Sequence, residues 1–85
     1  MEYVIVSYKS RAHTVGFSEF LRRNGVYCQI INTPKEAGVG CGLSVRLSVK
    51  DLSLARRAVK IAGLTSFAGI FLIKTAGVRR VVKSI

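Results

Sequence analysis

The chain has little of what builds metal sites, cofactor sites and disulfide scaffolds. It contains one His, two Cys and four Asp and Glu residues, and the two cysteines do not form a Cys-x-x-Cys pair. Zinc and iron–sulfur sites take such residues in clusters at short spacings, so we expect no metal and no cofactor. Two cysteines are also too few for the disulfide framework of a small secreted domain.

Long hydrophobic runs are missing as well. The longest one, residues 67–73 (FAGIFLI), is far shorter than the ~20 residues of a membrane-spanning helix. The first residues lack the basic segment and the small-residue cleavage site of a signal peptide. We therefore expect a cytoplasmic protein without a membrane span. A chain of this length builds one modest core.

Negative charge is scarce, and positive charge is abundant. Fourteen Lys and Arg residues stand against four acids, which gives a formal net charge of +10. This balance favours acidic partners, either an acidic protein or a nucleic acid, and says nothing about the fold. The cations are dispersed along the chain, so a generally basic solvated surface explains them equally well.

The pattern of apolar residues predicts the order βαββαβ. The first helix is expected between Ser10, as its N-cap, and residue 24, and the second after a capping box at residues 48–51. The predicted fold class is α+β: a ferredoxin-like sandwich in which a four-stranded antiparallel sheet has both helices on one face. It forms a single domain over residues 1–73. Four segments rich in β-forming residues predict its strands, at residues 3–8, 26–31, 43–47 and 67–73.

Residues 74–85 form a basic C-terminal tail with four cations and no acid. Its apolar residues follow a helical spacing, but β-branched valines lose side-chain freedom in a helix. A short helix and an extra strand are therefore both open. As a helix, the tail would carry an apolar stripe that can dock on the open face of the sheet or on a partner.

The most distinctive segment, residues 33–42, places Cys41 between Gly40 and Gly42. Flanking glycines remove side-chain shielding and permit backbone geometries that other residues avoid. We interpret Cys41 as an exposed, reactive thiol, provided that its thiolate is stabilised. The alternative, a cysteine tolerated beside a tight turn, stays open.

Two nearby cations and the second cysteine bear on this interpretation. Lys35 and Arg46 are expected to favour the ionised form of Cys41 and to place its pKa below that of Cys28. Cys28 shares a strand face with Val26 and Ile30 and is expected to be a small buried residue, with a resolving thiol as the alternative.

The only histidine lies in the first predicted helix. His13 shares the apolar face of that helix with Phe17 and Phe20, so we expect a structural role rather than that of a general base.

Two stretches of the chain, residues 33–35 (TPK) and 40–46 (GCGLSVR), resemble a family signature. The family is that of the small selenium/sulfur carrier-like proteins, whose members typically read TPR…S-x-G-C-G-L-A-L-R. The resemblance covers about residues 3–73. It implies a ferredoxin-like domain whose cysteine, here Cys41, bears sulfur or selenium as a persulfide or selenopersulfide.

The same resemblance implies a carrier between a donor enzyme and an acceptor rather than a stand-alone enzyme. Residues 37–39 replace a more serine-rich stretch, and Lys35 lacks the bidentate grip of the usual arginine. The positions that match the signature around the thiol are Pro34, Gly40, Gly42 and Arg46.

A nucleic-acid-binding module or an adaptor is the alternative function. RNA-recognition domains of this fold stack bases on aromatic residues of the central strands. Neither strand signature of such domains is present, so the net charge is the main support. The sequence leaves open the oligomeric state, the donor, the acceptor and the choice between sulfur and selenium. The aromatic residues of the predicted strands are Tyr3, Tyr8, Tyr27, Phe67 and Phe71.

Overall fold

Five strands and two α-helices make up the computed structural model, which describes residues 1–85. The predicted α+β class is confirmed, and the predicted number of strands is wrong. Two 3₁₀ turns, Lys35–Ala37 and Val49–Asp51, precede β3 and α2. Neither α-helix has the length and apolar character needed to cross a membrane. In chain order the elements are β1 (Glu2–Tyr8), α1 (Arg11–Arg23), β2 (Gln29–Asn32), β3 (Leu43–Leu47), α2 (Leu52–Ala62), β4 (Phe67–Ala76) and β5 (Arg79–Ser84).

The strands form one sheet in the order β2-β3-β1-β4-β5, and every neighbouring pair is antiparallel. β1 lies at the centre, where Val4 faces Leu47 of β3 on one side and Leu72 of β4 on the other. Six consecutive residues of β1, Tyr3 to Tyr8, are buried. A strand that is apolar on both faces needs cover on both faces, which explains its central position.

The C-terminal tail is a strand, one of the two conformations that the sequence leaves open. Residues 74–76 extend β4, and the chain turns at Gly77 and Val78 and returns as β5. Val82 of β5 faces Ile73 of β4 and packs into the protein, whereas Val81 is 55% exposed. This pairing suits the β-branched valines that weakened the helical interpretation.

Two apolar cores lie on opposite faces of the sheet. The larger one lies between the sheet and both helices; Val4, Val6 and Phe17 are among its members. The smaller one consists of Tyr3, Ile5, Phe71 and Ile73, with Ala37 and Val39 packed against it. The segment between β2 and β3 therefore covers the sheet face that the helices leave open.

The ends of the helices follow the predictions in part. Ser10 caps α1, since its hydroxyl accepts a hydrogen bond from the His13 amide at 3.2 Å. Gly63 ends α2 in the left-handed conformation. The predicted capping box is wrong, because neither Ser48 nor Asp51 makes a side-chain capping bond and a 3₁₀ turn leads into α2 instead.

β2 begins at Gln29 rather than at residue 26. The Val26 amide donates to the Leu21 carbonyl at 2.9 Å, so Val26 belongs to the turn that ends α1. Val26 and Cys28 are nevertheless buried in the larger core. The predicted burial of Cys28 is confirmed, and its predicted place in a strand is wrong.

Candidate functional site

Residues 33–42, which we call the glycine loop, connect β2 to β3 and carry Cys41. The loop is closed at its base, where the Thr33 amide donates to the Gly42 carbonyl at 2.8 Å. A chain of hydroxyl groups fixes this base to the sheet: Thr33 Oγ1 lies 2.6 Å from Ser44 Oγ, which lies 2.7 Å from Ser7 Oγ. Ser7 and Ser44 are fully buried. The loop therefore starts and ends on a rigid support.

Gly40 and Gly42 are needed for different reasons. Both have positive φ angles, of 85° and 93°. A Cβ atom on Gly40 would lie 3.1 Å from the Tyr8 carbonyl oxygen, whereas one on Gly42 would meet no atom within 4 Å. The close approach at Gly40 lets the Cys41 amide donate to the Tyr8 carbonyl at 3.1 Å. Gly40 thus holds Cys41 against the end of β1.

The Cys41 thiol is exposed and lies beside the first turn of α1. Its Sγ is 3.6 Å from Thr14 Oγ1, and the buried Thr14 hydroxyl also donates to the Ser10 carbonyl at 3.1 Å. The Cys41 Sγ also donates a long hydrogen bond, of 3.8 Å, to the Leu43 carbonyl oxygen. The start of a helix carries partial positive charge, which favours a thiolate there.

The pKa of Cys41 is lowered from its ordinary value. Burial has the largest single effect and raises the pKa, but several opposing effects together outweigh it. These are backbone hydrogen bonds at Leu43 and at Cys41 itself, the Thr14 hydroxyl and the charge of Arg11. A lowered pKa raises the fraction of thiolate at a given pH, and exposure leaves that thiolate accessible to a reactant.

Cys28 is the opposite case. It is 3% exposed, and its Sγ donates to the Ser18 carbonyl at 3.6 Å. Burial raises the pKa of the Cys28 thiol, and the nearby Arg22 opposes this only in part. The pKa of Cys41 therefore lies below that of Cys28, in the order expected from the sequence. Both thiols are free.

Lys35 and Arg46 were expected to lower the pKa of Cys41, but neither is among the groups that lower it. Arg46 lies over the Tyr3 ring, 4.0 Å from its centre, and Tyr3 is about 16 Å along β1 from Tyr8. Lys35 is exposed in the 3₁₀ turn of the loop. The cation that lowers the pKa is Arg11, the first residue of α1. Sequence spacing missed Arg11 because only the fold brings the start of α1 to the loop.

The remaining residues singled out from the sequence have structural contacts. Pro34 is buried at the start of the 3₁₀ turn. His13 Nδ1 lies 2.6 Å from Ser66 Oγ and so joins α1 to the turn before β4. The structure has no group of three or more His, Cys, Asp or Glu side chains placed to hold a metal ion.

The aromatic residues do not form an open stacking surface. Tyr3 and Phe71, on the face away from the helices, are each 8% exposed because the glycine loop packs against their core. Tyr8 is fully buried on the helical face. The exposed aromatics are Tyr27, before β2, and Phe67, at the start of β4, and β3 and β1 separate those two strands. Bases therefore cannot stack across the central strands as in RNA-recognition domains.

At neutral pH, iodoacetamide is expected to alkylate Cys41 at least about ten times faster than Cys28, because the thiolate is the reactive form and only Cys41 is exposed. Thr14→Val, which removes the hydroxyl, should move the pH midpoint of Cys41 labelling upward, whereas Thr14→Ser should not. Peptide mapping of protein labelled at several pH values measures both rates. Equal rates at the two cysteines, or an unchanged midpoint in Thr14→Val, would contradict this account.

The chain matches the model of one known protein family. A family model described as "Putative Se/S carrier protein-like" matches residues 2–67, from β1 to the first residue of β4, and includes the whole glycine loop. The comparisons with curated proteins and with solved structures each returned no match. The matched segment makes up most of the chain and contains the Gly-Cys-Gly block that carried the resemblance. The chain therefore belongs to the Se/S carrier protein-like family.

Proposed function

We propose that the protein carries sulfur or selenium on Cys41, as a persulfide or selenopersulfide, between a donor enzyme and an acceptor. The observation that carries this proposal is the state of one side chain: Cys41 is exposed, and its pKa is lowered by its contacts with the start of α1 and with the loop backbone. The family name points to the same chemistry.

The proposed loading step exchanges one sulfur–sulfur bond for another. The Cys41 thiolate attacks the outer sulfur of a donor persulfide, the donor S–S bond breaks, and the donor cysteine leaves as a thiolate. In delivery, an acceptor nucleophile attacks the outer sulfur on Cys41, and the Cys41 thiolate is the leaving group. A lowered pKa favours both steps, since Cys41 is the attacking thiolate in the first and the departing one in the second.

The Thr14 hydroxyl is suited to follow this change of charge. While Cys41 is neutral, the Thr14 hydroxyl donates to the Ser10 carbonyl, which also accepts the Thr14 amide at 3.0 Å. When Cys41 is a thiolate, the same hydroxyl can turn and donate to Sγ, 3.6 Å away, while the Ser10 carbonyl keeps its backbone bond. The Cys41 thiolate thus gains the Thr14 hydroxyl as a hydrogen-bond donor, and the Ser10 carbonyl still accepts the Thr14 amide.

Incubation with a cysteine desulfurase and cysteine is expected to add the mass of one sulfur atom to Cys41, and addition of dithiothreitol should remove it. The measurement is intact-protein mass spectrometry followed by peptide mapping. Cys28→Ser protein should load to the same extent as the unaltered chain, because Cys28 is buried.

The control is Cys41→Ala protein, which is treated in parallel and must gain no mass. A second experiment, with selenocysteine and a selenocysteine lyase, tests selenium in the same way. Sulfur addition that is absent from Cys41, or equal in Cys41→Ala protein, would refute the carrier proposal.

We also infer that the first four strands and both helices form a ferredoxin-like unit. The order β2-β3-β1-β4 and the packing of α1 and α2 against one core support this assignment. β5 is then an addition to that unit, and it lies outside the segment matched by the family model.

A further inference from the structure

β5 is an edge strand whose outer side has no neighbour in the sheet. The Ile85 amide donates to the Ile70 carbonyl of β4 at 2.9 Å. Inward and outward amides alternate along an antiparallel strand, so the amides of Arg80, Val82 and Ser84 point away from β4. A row of free backbone donors and acceptors on an exposed edge is a template for another strand.

The side chains of β5 define the chemistry of that edge. Every second side chain of β5 lies on the helical side of the sheet. These are Arg79, Val81 and Lys83, and all three are exposed. Arg56 and Lys60 of α2 line the groove beside the end of β5. The edge thus combines a cation–apolar–cation pattern with a basic rim.

We propose that the outer edge of β5 binds an acidic, extended segment of a partner protein by strand addition. Main-chain bonds would go to the outward amides of β5, and acidic side chains four residues apart on one face of the partner strand would face Arg79 and Lys83. The inference rests on the proposed function in one respect, that the partner is the donor or acceptor of the chalcogen.

The charge pattern disfavours a second copy as the occupant. Antiparallel pairing of two β5 strands would place three cations of each RRVVKS segment on one ladder, where like charges repel, and registers that set Arg79 or Lys83 opposite Lys83 are destabilised. The other edge strand, β2, has only four residues and no charged one. A nucleic acid is disfavoured because it cannot use a row of free strand amides as a protein strand does.

The position of β5 connects this edge to the thiol-bearing loop. Arg80 and Glu36 form the one ion pair of the structure, with 3.5 Å between Nη1 and Oε1. Val82 and the loop residue Val39 pack against the same small core. A partner strand on β5 would therefore lie next to the glycine loop.

The test uses an end-blocked peptide of about eight alternating Glu and Val residues, the length of a typical strand. In ¹H–¹⁵N NMR spectra of the full chain, the peptide is expected to slow hydrogen exchange at the amides of Arg80, Val82 and Ser84. A peptide of the same charge with Pro at its centre should not, because proline cannot continue the ladder.

Charge reversal checks the side-chain contribution. Arg79→Glu/Lys83→Glu is expected to weaken binding at least about tenfold. The matched control Arg23→Glu/Arg57→Glu changes the net charge equally on the helices and should weaken it less than about twofold. Equal losses in the two variants, protection at β2 instead of β5, dimerisation through β5, or stronger binding of oligouridylate than of the peptide at β5 would each overturn the proposal.

Failure of this inference can be told apart from failure of the carrier function. Peptide binding is repeated on Cys41→Ala protein, where it is expected to be unchanged. Sulfur loading from a small inorganic polysulfide involves no docking strand and should be unaffected by Arg79→Glu/Lys83→Glu. Loss of loading in that double variant would contradict the separation of the two sites.

Discussion

Replacing Gly40 by alanine is expected to lower the free energy of unfolding by about 2–4 kcal/mol and to slow the alkylation of Cys41. A φ angle of 85° is costly for any residue with a Cβ atom, and the new Cβ would lie 3.1 Å from the Tyr8 carbonyl oxygen. The loop must then move away from β1, which breaks the bond from the Cys41 amide to that carbonyl. Urea denaturation and the labelling rate of Cys41 measure the two effects.

Gly42→Ala is the matched control for this substitution. Gly42 has a similar φ angle of 93°, but a Cβ there meets no atom within 4 Å. Its cost should be limited to the backbone conformation, about 1–2 kcal/mol. If Gly42→Ala costs as much as Gly40→Ala, contact with Tyr8 does not determine the position of the loop.

Tyr8→Phe is expected to stabilise the protein by about 1–2 kcal/mol at neutral pH, an unusual result for a fully buried position. The Tyr8 hydroxyl is buried without a hydrogen-bond partner, so folding removes it from water without compensation. The ring contacts with Phe17 and Phe67, at 5.3 and 5.8 Å between centres, involve only the part that phenylalanine retains.

The same substitution should change the response to alkaline pH. Burial raises the pKa of Tyr8 to about 12, from an ordinary value of 10.0. Below pH 10 the hydroxyl is neutral in both states; between pH 10 and 12 it ionises in the unfolded chain only, so stability falls by about 3 kcal/mol over that range. Tyr8→Phe removes this part of the alkaline loss.

Urea denaturation at pH 7 and at several values above pH 9 tests both claims. Tyr27→Phe is the control, because Tyr27 is 75% exposed and should change neither the stability nor its pH dependence. Destabilisation by Tyr8→Phe at neutral pH would show that the hydroxyl has a partner in solution and would overturn the explanation.

Local patterns predicted most of the elements correctly. The alternation in Leu43–Leu47 matches β3 from end to end, and Ser10 and Gly63 mark the ends of helices because caps act on their own backbone neighbours. The start of β2 was missed because a buried Val26 looks like a strand residue, although its amide completes the turn after α1. Propensity does not distinguish these two uses of a buried valine.

The site was predictable in its centre and not in its surroundings. Two glycines beside a cysteine indicate an exposed thiol because that inference needs only neighbouring residues. Arg11 and Thr14 reach Cys41 only through the fold, so proximity in the sequence pointed wrongly to Lys35 and Arg46. The sequence also did not predict that the loop would bury Tyr3 and Phe71. The loop residues that cover them, Ala37 and Val39, follow neither a strand nor a helix period.

The glycine loop holds the Cys41 thiol and also covers the smaller core, through Ala37 and Val39. Lifting it to hand over a cargo would expose Tyr3, Ile5, Phe71 and Ile73 to water, at a cost of about 1.5–3 kcal/mol for each large side chain uncovered. This cost disfavours a large movement of the loop, such as the swinging arm that many group-transfer proteins use. Under the proposed carrier function, Cys41 stays at a fixed point, and a donor or acceptor enzyme must bring its own reactive group to that point.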